Sequence, residues 1–168
     1  MSNIGSSHIA EMYVGSTKIA QAYVGSTLVF QVAQPPAGYD SYIIHLTWSS
    51  NDNFNMAGLH VDGVQPSASD VTMMKYHNGS WETISSSHVE TAIQWGEQGE
   101  GLYGSAVDIS FTADNTPSIV QVKTGRWYGG GSMTVTMHVA GVKDGVETDL
   151  GYTSQTNAAD LIYTVNIS

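Results

Sequence analysis

The side chains of this sequence that could do chemistry are six histidines, fifteen carboxylates and several aromatic residues beside glycine-rich stretches. Cysteine is absent, so thiol catalysis, disulfides and thiolate metal sites are excluded. The histidines, at 8, 45, 60, 77, 88 and 138, show neither His-x-x-x-His nor His-Glu-x-x-His spacing. His60 and Asp62 fall on one face of a strand, but no third ligand accompanies them, so no metal site is expected. There is no Gly-x-Ser-x-Gly elbow, and Gly129-Gly130-Gly131-Ser132 lacks the lysine and following helix of a phosphate-binding loop. It reads as a hairpin loop. A glycosidase needs only two carboxylates, about 5–10 Å apart across a cleft. Glu82, Glu90, Glu97, Glu100, Asp108 and Asp114 qualify by type, yet their spacing selects no pair, and in an acidic chain most carboxylates are solvated. The expectation is a protein that is not an enzyme and uses no cofactor.

Aromatic residues point to binding instead. Trp95 and Tyr103 flank the glycine-rich run 96–101, and Arg126-Trp127-Tyr128 precedes Gly129-Gly130-Gly131. Sugar rings stack on flat apolar faces while charged and polar neighbours bond their hydroxyls, and binding residues concentrate on loops. Trp95, Tyr103, Arg126, Trp127 and Tyr128 are therefore the candidate glycan contacts. Trp48, inside an alternating apolar segment, reads as core.

Charge narrows the partners. Five Lys+Arg against fifteen Asp+Glu give a net charge of -10, which argues against nucleic acid, because so few cations neutralise few phosphates while the excess negatives repel the rest. Residues 1–33 carry only Glu11 and Lys18 and are neutral, so all ten excess negatives lie beyond them. No run approaches the 18 or so apolar residues of a membrane span, and the N-terminus lacks the basic start and apolar stretch of a secretory signal. Synthesis in a cytoplasm is expected. Twenty Ser and fifteen Thr, with 10% aromatic residues, favour β-structure.

The elements that must position these groups begin with a ten-residue repeat. Ile9 to Lys18 (IAEMYVGSTK) is followed by Ile19 to Leu28 (IAQAYVGSTL) and by the start of a third copy at Val29-Phe30-Gln31. Each copy reads as a short strand and a Gly-Ser-Thr turn, since glycine supplies positive φ and the hydroxyls bond nearby backbone. Two or three such units cannot bury a core alone, so the arm must pack on another chain or on the following domain. The pattern Ile-x-x-x-Tyr-x-Gly-Ser-Thr-x, ending in an apolar pair and a proline-containing link, resembles an N-terminal module of bacteriophage structural proteins. That resemblance implies a virion protein (head decoration, fibre or tail accessory) whose arm docks on other virion proteins or on copies of itself, as a trimer. Tyr13, Val14, Tyr23, Val24, Val29 and Phe30 would form that interface.

Gln34-Pro35-Pro36-Ala37-Gly38 marks a stiff link between the arm (1–33) and a body (39–168). In the body, period-two alternation at Ile43–Trp48, Val107–Phe111, Met133–Val139 and Leu161–Ile167 predicts half-buried antiparallel strands. Weaker strands are expected at 54–61, 71–76 and 118–123, with turns at Asp62-Gly63, Asn78-Gly79 and Asp144-Gly145. Only Ser86–Trp95 could hold a turn or two of helix. The fold class is all-β: a short-strand repeat arm followed by a jelly-roll-like antiparallel β-sandwich. The segments Ile43–Trp48, Met56–Gly63, Pro117–Val122 and Asp144-Gly145 resemble the galactose-binding, discoidin-like sandwich, which implies sugar binding by loops at one end. The calcium cluster of that family is not evident here. Two functions follow as expectations: a non-enzymatic virion structural protein with weak glycan adhesion, or a carbohydrate-binding module or small glycan hydrolase acting on the bacterial surface.

Overall fold

A computed structural model of the chain describes residues 12–14, 17–19, 21–24, 27–31, 38–49, 54–96, 99–125, 133–157 and 161–167, the first four segments as backbone only. The chain divides into two compact units, Met1–Ala37 and Gly38–Ser168.

In the first unit the repeat forms two antiparallel hairpins. Strand β1 (Met12–Val14) pairs with β2 (Thr17–Ile19), and β3 (Gln21–Val24) with β4 (Thr27–Gln31). In the sequence a Gly-Ser separates the two strands of each pair, and Thr17 and Thr27 open β2 and β4. Strands β1 to β3, of three or four residues, are shorter than the five or six residues the repeat suggests, and β4 has five. Tyr13 and Val14 fall on β1, Tyr23 and Val24 on β3, and Val29 and Phe30 on β4; their side chains lie outside the described residues, as do 34–37 of the link.

The second unit is a sandwich of two antiparallel sheets. The larger contains β5 (Ser41–Trp48), β7 (Val71–His77), β8 (Ser80–Thr83), β10 (Ala106–Phe111), β12 (Met133–Lys143) and β13 (Val146–Asn157), in the order β13-β12-β5-β10-β7-β8. The smaller contains β6 (Phe54–Val61), β9 (Glu100–Leu102), β11 (Ile119–Thr124) and β14 (Ile162–Asn166), in the order β14-β11-β6-β9. Apolar residues at every second position explain both sheets, because alternate side chains of a strand point to one face. Ile44, Leu46, Met73, Ile109, Val135 and Met137 of the larger sheet and Met56, Leu59, Val120, Val122 and Tyr163 of the smaller are fully or almost fully buried in one core. Trp48 joins them, stacked on Phe54 with ring centroids 4.9 Å apart. Helix α1 (Ser86–Ile93) adds Val89, Ala92 and Ile93 to the same core.

All three expected Asx-Gly turns are present, with positive φ at both central residues: Asp62-Gly63, Asn78-Gly79 and Asp144-Gly145. That is the type I′ signature, whose twist matches that of the flanking strands. Asp62 lies just past β6 rather than on it, and its carboxylate accepts the backbone N–H groups of Ser118 and Ile119 at 2.8 and 3.0 Å. It therefore clips two chain segments together and does not form a ligand pair with His60.

Candidate functional site

Tyr103, in the connection between β9 and β10, is a largely exposed aromatic residue that lines a recess. Its side chain is 60% exposed. It lines a cleft of about 420 Å³ together with Tyr76 and His77 from the end of β7, the Asn78-Gly79 turn, Gly104 and Ser105. A volume in that range suits a small ligand.

Local backbone chemistry builds this cleft. Ser105 donates its N–H to the Tyr76 carbonyl at 3.0 Å, while its own carbonyl accepts the N–H of Trp48 at 3.3 Å, so the loop is fastened to β7 and β5 at once. Gly104 allows the close approach: a Cβ there would sit 2.4 Å from the Tyr76 oxygen, and its φ of +152° is one that side-chain-bearing residues avoid. The result is that Tyr103 is held beside Tyr76. On the neighbouring edge strand Trp81, directly opposite Tyr76 in register, tilts against its ring at 5.4 Å and is itself 43% exposed. Tyr103 and Tyr76 thus present aromatic surface in a polar recess, with Trp81 packed behind Tyr76, and the Asn78 amide, the His77 imidazole and the Ser105, Tyr76 and Tyr103 hydroxyls are side-chain hydrogen-bonding groups among its lining residues.

The other sequence candidates are placed differently. Trp95 follows α1 and lies on the outer face of β6, stacked on His60 at 3.9 Å, with the Lys123 ammonium 5.8 Å from its ring. Gly58 leaves room for it, since a Cβ there would meet the indole at 2.7 Å. The indole N–H side of the residue aside, its backbone N–H is taken by Gln65 Oε1 at 3.2 Å. Burial lowers the His60 pKa below the usual imidazole value. Trp95 therefore covers the small sheet and does not share a recess with Tyr103. Arg126, Trp127 and Tyr128 lie outside the described residues, as does Glu97.

Among the candidate carboxylates, Glu82 pairs with Lys75 at 3.5 Å, Glu100 with His88 at 3.4 Å and Asp108 with His45 at 2.7 Å. Glu90 and Asp114 are exposed. None of them lines the cleft among the described residues. Also among the described residues, no three His, Asp or Glu side chains are grouped to hold a metal ion. Compared with family models, with curated proteins and with solved structures, the chain matches none of them.

Proposed function

We propose that the protein is a non-enzymatic component of a bacteriophage virion, attached through its repeat arm and presenting a glycan-binding cleft on its acidic body. The observation that carries the binding half is Tyr103, largely exposed yet held beside Tyr76 at the mouth of a polar recess. Exposed aromatic faces next to neutral hydrogen-bonding groups suit a sugar, whose ring has an apolar face and a hydroxylated rim. The lining residues carry no carboxylate pair, which favours binding over hydrolysis. The attachment half rests on the sequence: a neutral, apolar, repetitive arm ahead of a body that holds the whole charge of -10. Repetition on a particle would multiply weak sugar contacts through avidity.

The test is titration of the full-length protein with neutral oligosaccharides, followed by two-dimensional NMR. Shifts should concentrate at 76–79 and 103–105, and Tyr103→Ala should weaken binding about tenfold, equivalent to about 1.4 kcal/mol, without changing the melting temperature. Equal affinity in wild type and variant would refute the cleft, and so would shifts confined to other surfaces. For the arm, the full-length chain should be a trimer or larger by native mass, and removal of residues 1–37 should leave a monomer. A full-length monomer would refute attachment through self-association.

A further inference from the structure

The outer face of the six-stranded sheet carries a row of side chains that neither the cleft nor the arm accounts for. Cross-strand register places Tyr152 opposite His138, His138 opposite His45, and His45 opposite Asp108. His45 sits at the middle of this row with both ring nitrogens engaged. Nδ1 lies 2.7 Å from Asp108 Oδ1 on β10, and Nε2 lies 3.1 Å from Glu147 Oε2 on β13, which reaches across β12 to meet it.

Glu147 faces His45 because of a bulge. Val139 pairs with Gly151 but Ala140 pairs with Asp149, so Leu150 is an extra residue in β13. One additional residue reverses which face the following side chains occupy. It puts Glu147 and Asp149 on the same face as Tyr152 and His138, where Glu147, Asp149, His45, His138 and Ala140 line a depression of about 400 Å³.

Counting protons decides what this arrangement means. A neutral imidazole has one N–H, and an ionised carboxylate only accepts, so the two hydrogen bonds to His45 cannot both exist with His45 neutral and both carboxylates ionised. We propose that His45 is a proton-dependent latch: with a proton bound it ties the β12–β13 hairpin to β5 and β10, and on losing that proton it releases Glu147 while keeping Asp108. Glu147 is the partner that leaves, because its contact is longer and its side chain is 51% exposed against 22% for Asp108. The remaining Nδ1–H donates to Asp108, which fixes the neutral tautomer. The titratable groups that face His45 among the described residues are Asp108 from β10, His138 from β12, and Glu147 and Asp149 from β13; Met74, opposite Asp108 on β7, contributes none. Asp149 is already engaged, accepting the Gly151 N–H at 3.0 Å. A second tie holds the tip of the hairpin independently of the latch: Asp40 accepts from Lys143 Nζ at 2.9 Å and from the Asp144 N–H at 2.8 Å. Release is therefore local to the stretch around Glu147.

The experiment follows the imidazole protons of His45 by NMR in the full chain from pH 5 to 8.5, together with hydrogen-exchange protection factors, corrected for intrinsic rates, at residues 146–149. Protection should fall several-fold as His45 loses its proton in the wild type. In Glu147→Gln it should be independent of the His45 titration, and the His45 midpoint should drop. Preserved chemical-shift dispersion and melting of Glu147→Gln establish that the variant is folded; Glu147→Ala, which removes both the charge and the hydrogen bond, serves the same comparison if Gln does not fold. Protection that is flat across the His45 titration in the wild type, or a His45 midpoint unmoved by removal of the Glu147 charge, would overturn the latch.

Discussion

With a carboxylate on each ring nitrogen, His45 holds its proton more tightly folded than unfolded. Partial burial works against the imidazolium, but hydrogen bonds and charge from Asp108 and Glu147 outweigh it and raise the pKa above the usual value. The sign for stability follows: a raised pKa contributes stability that is complete below the unfolded value of about 6.5 and is lost as pH rises through the folded value. His60 runs the other way, since its lowered pKa opposes folding as it is forced to take a proton in acid. Urea denaturation at pH 5.5 and 8 should therefore be compared between wild type and His45→Gln. The wild type should lose more stability than the variant on going to pH 8, and equal losses would remove His45 from the account. At the cleft, Gly104→Ala should displace the loop from Tyr76, because its Cβ would overlap the carbonyl oxygen that Ser105 bonds. The expected cost is about 1–3 kcal/mol by denaturation, with weaker oligosaccharide binding as well. Of these residues the sequence singled out Tyr103 but not Tyr76 or Trp81. Tyr76 closes the weaker expected strand 71–76, and only pairing with β8 and the return of a distant loop bring it to Tyr103. Spacing along the chain carries no signal for such a meeting.

At the scale of elements, legibility tracks burial. Strands β5, β10, β12 and β14 have one face in the core, so their apolar alternation is visible, and the helical turns at Ser86–Ile93 fall where the sequence allowed them. By contrast β8 is exposed along its whole length, and β13, a twelve-residue edge strand, is mostly exposed and rich in Thr, Ser and Gln. Neither shows a hydrophobic pattern, because neither is specified by one. What specifies β13 is its partner: Thr134 with Thr156 at 2.6 Å and Thr136 with Ser154 at 2.9 Å form a cross-strand hydroxyl ladder, continued by the stacked rings of His138 and Tyr152. The bulge that interrupts this ladder depends on Gly151, whose φ is +143° and where a Cβ would lie 2.9 Å from the Val165 side chain of the facing sheet. Gly151→Ala should cost about 1–3 kcal/mol in chemical denaturation and weaken the Glu147 contact in the same variant. A variant as stable as the wild type would mean that the bulge relaxes without loss.

For the whole molecule, the division at Ala37 and Gly38 separates a neutral unit from one that carries the full charge of -10. A body with its own buried core should fold without the arm, so residues 38–168 should melt as the full chain does, within a few degrees by circular dichroism. Tyr23→Asp, which puts a charge at the proposed apolar interface, should abolish incorporation into particles while leaving that melting unchanged. Normal incorporation would count against the interface. The tip beyond β6 offers a way to watch these units. Val64 is 67% exposed, next to a turn whose Gly63 has open space around it. Because the chain contains no thiol, Val64→Cys would be its single point of attachment for a maleimide dye, at a residue that lines neither the cleft nor the depression beside His45. Fluorescence anisotropy from that position would then report the tumbling of the body: slow when it rides on an assembled arm, fast when residues 1–37 are removed.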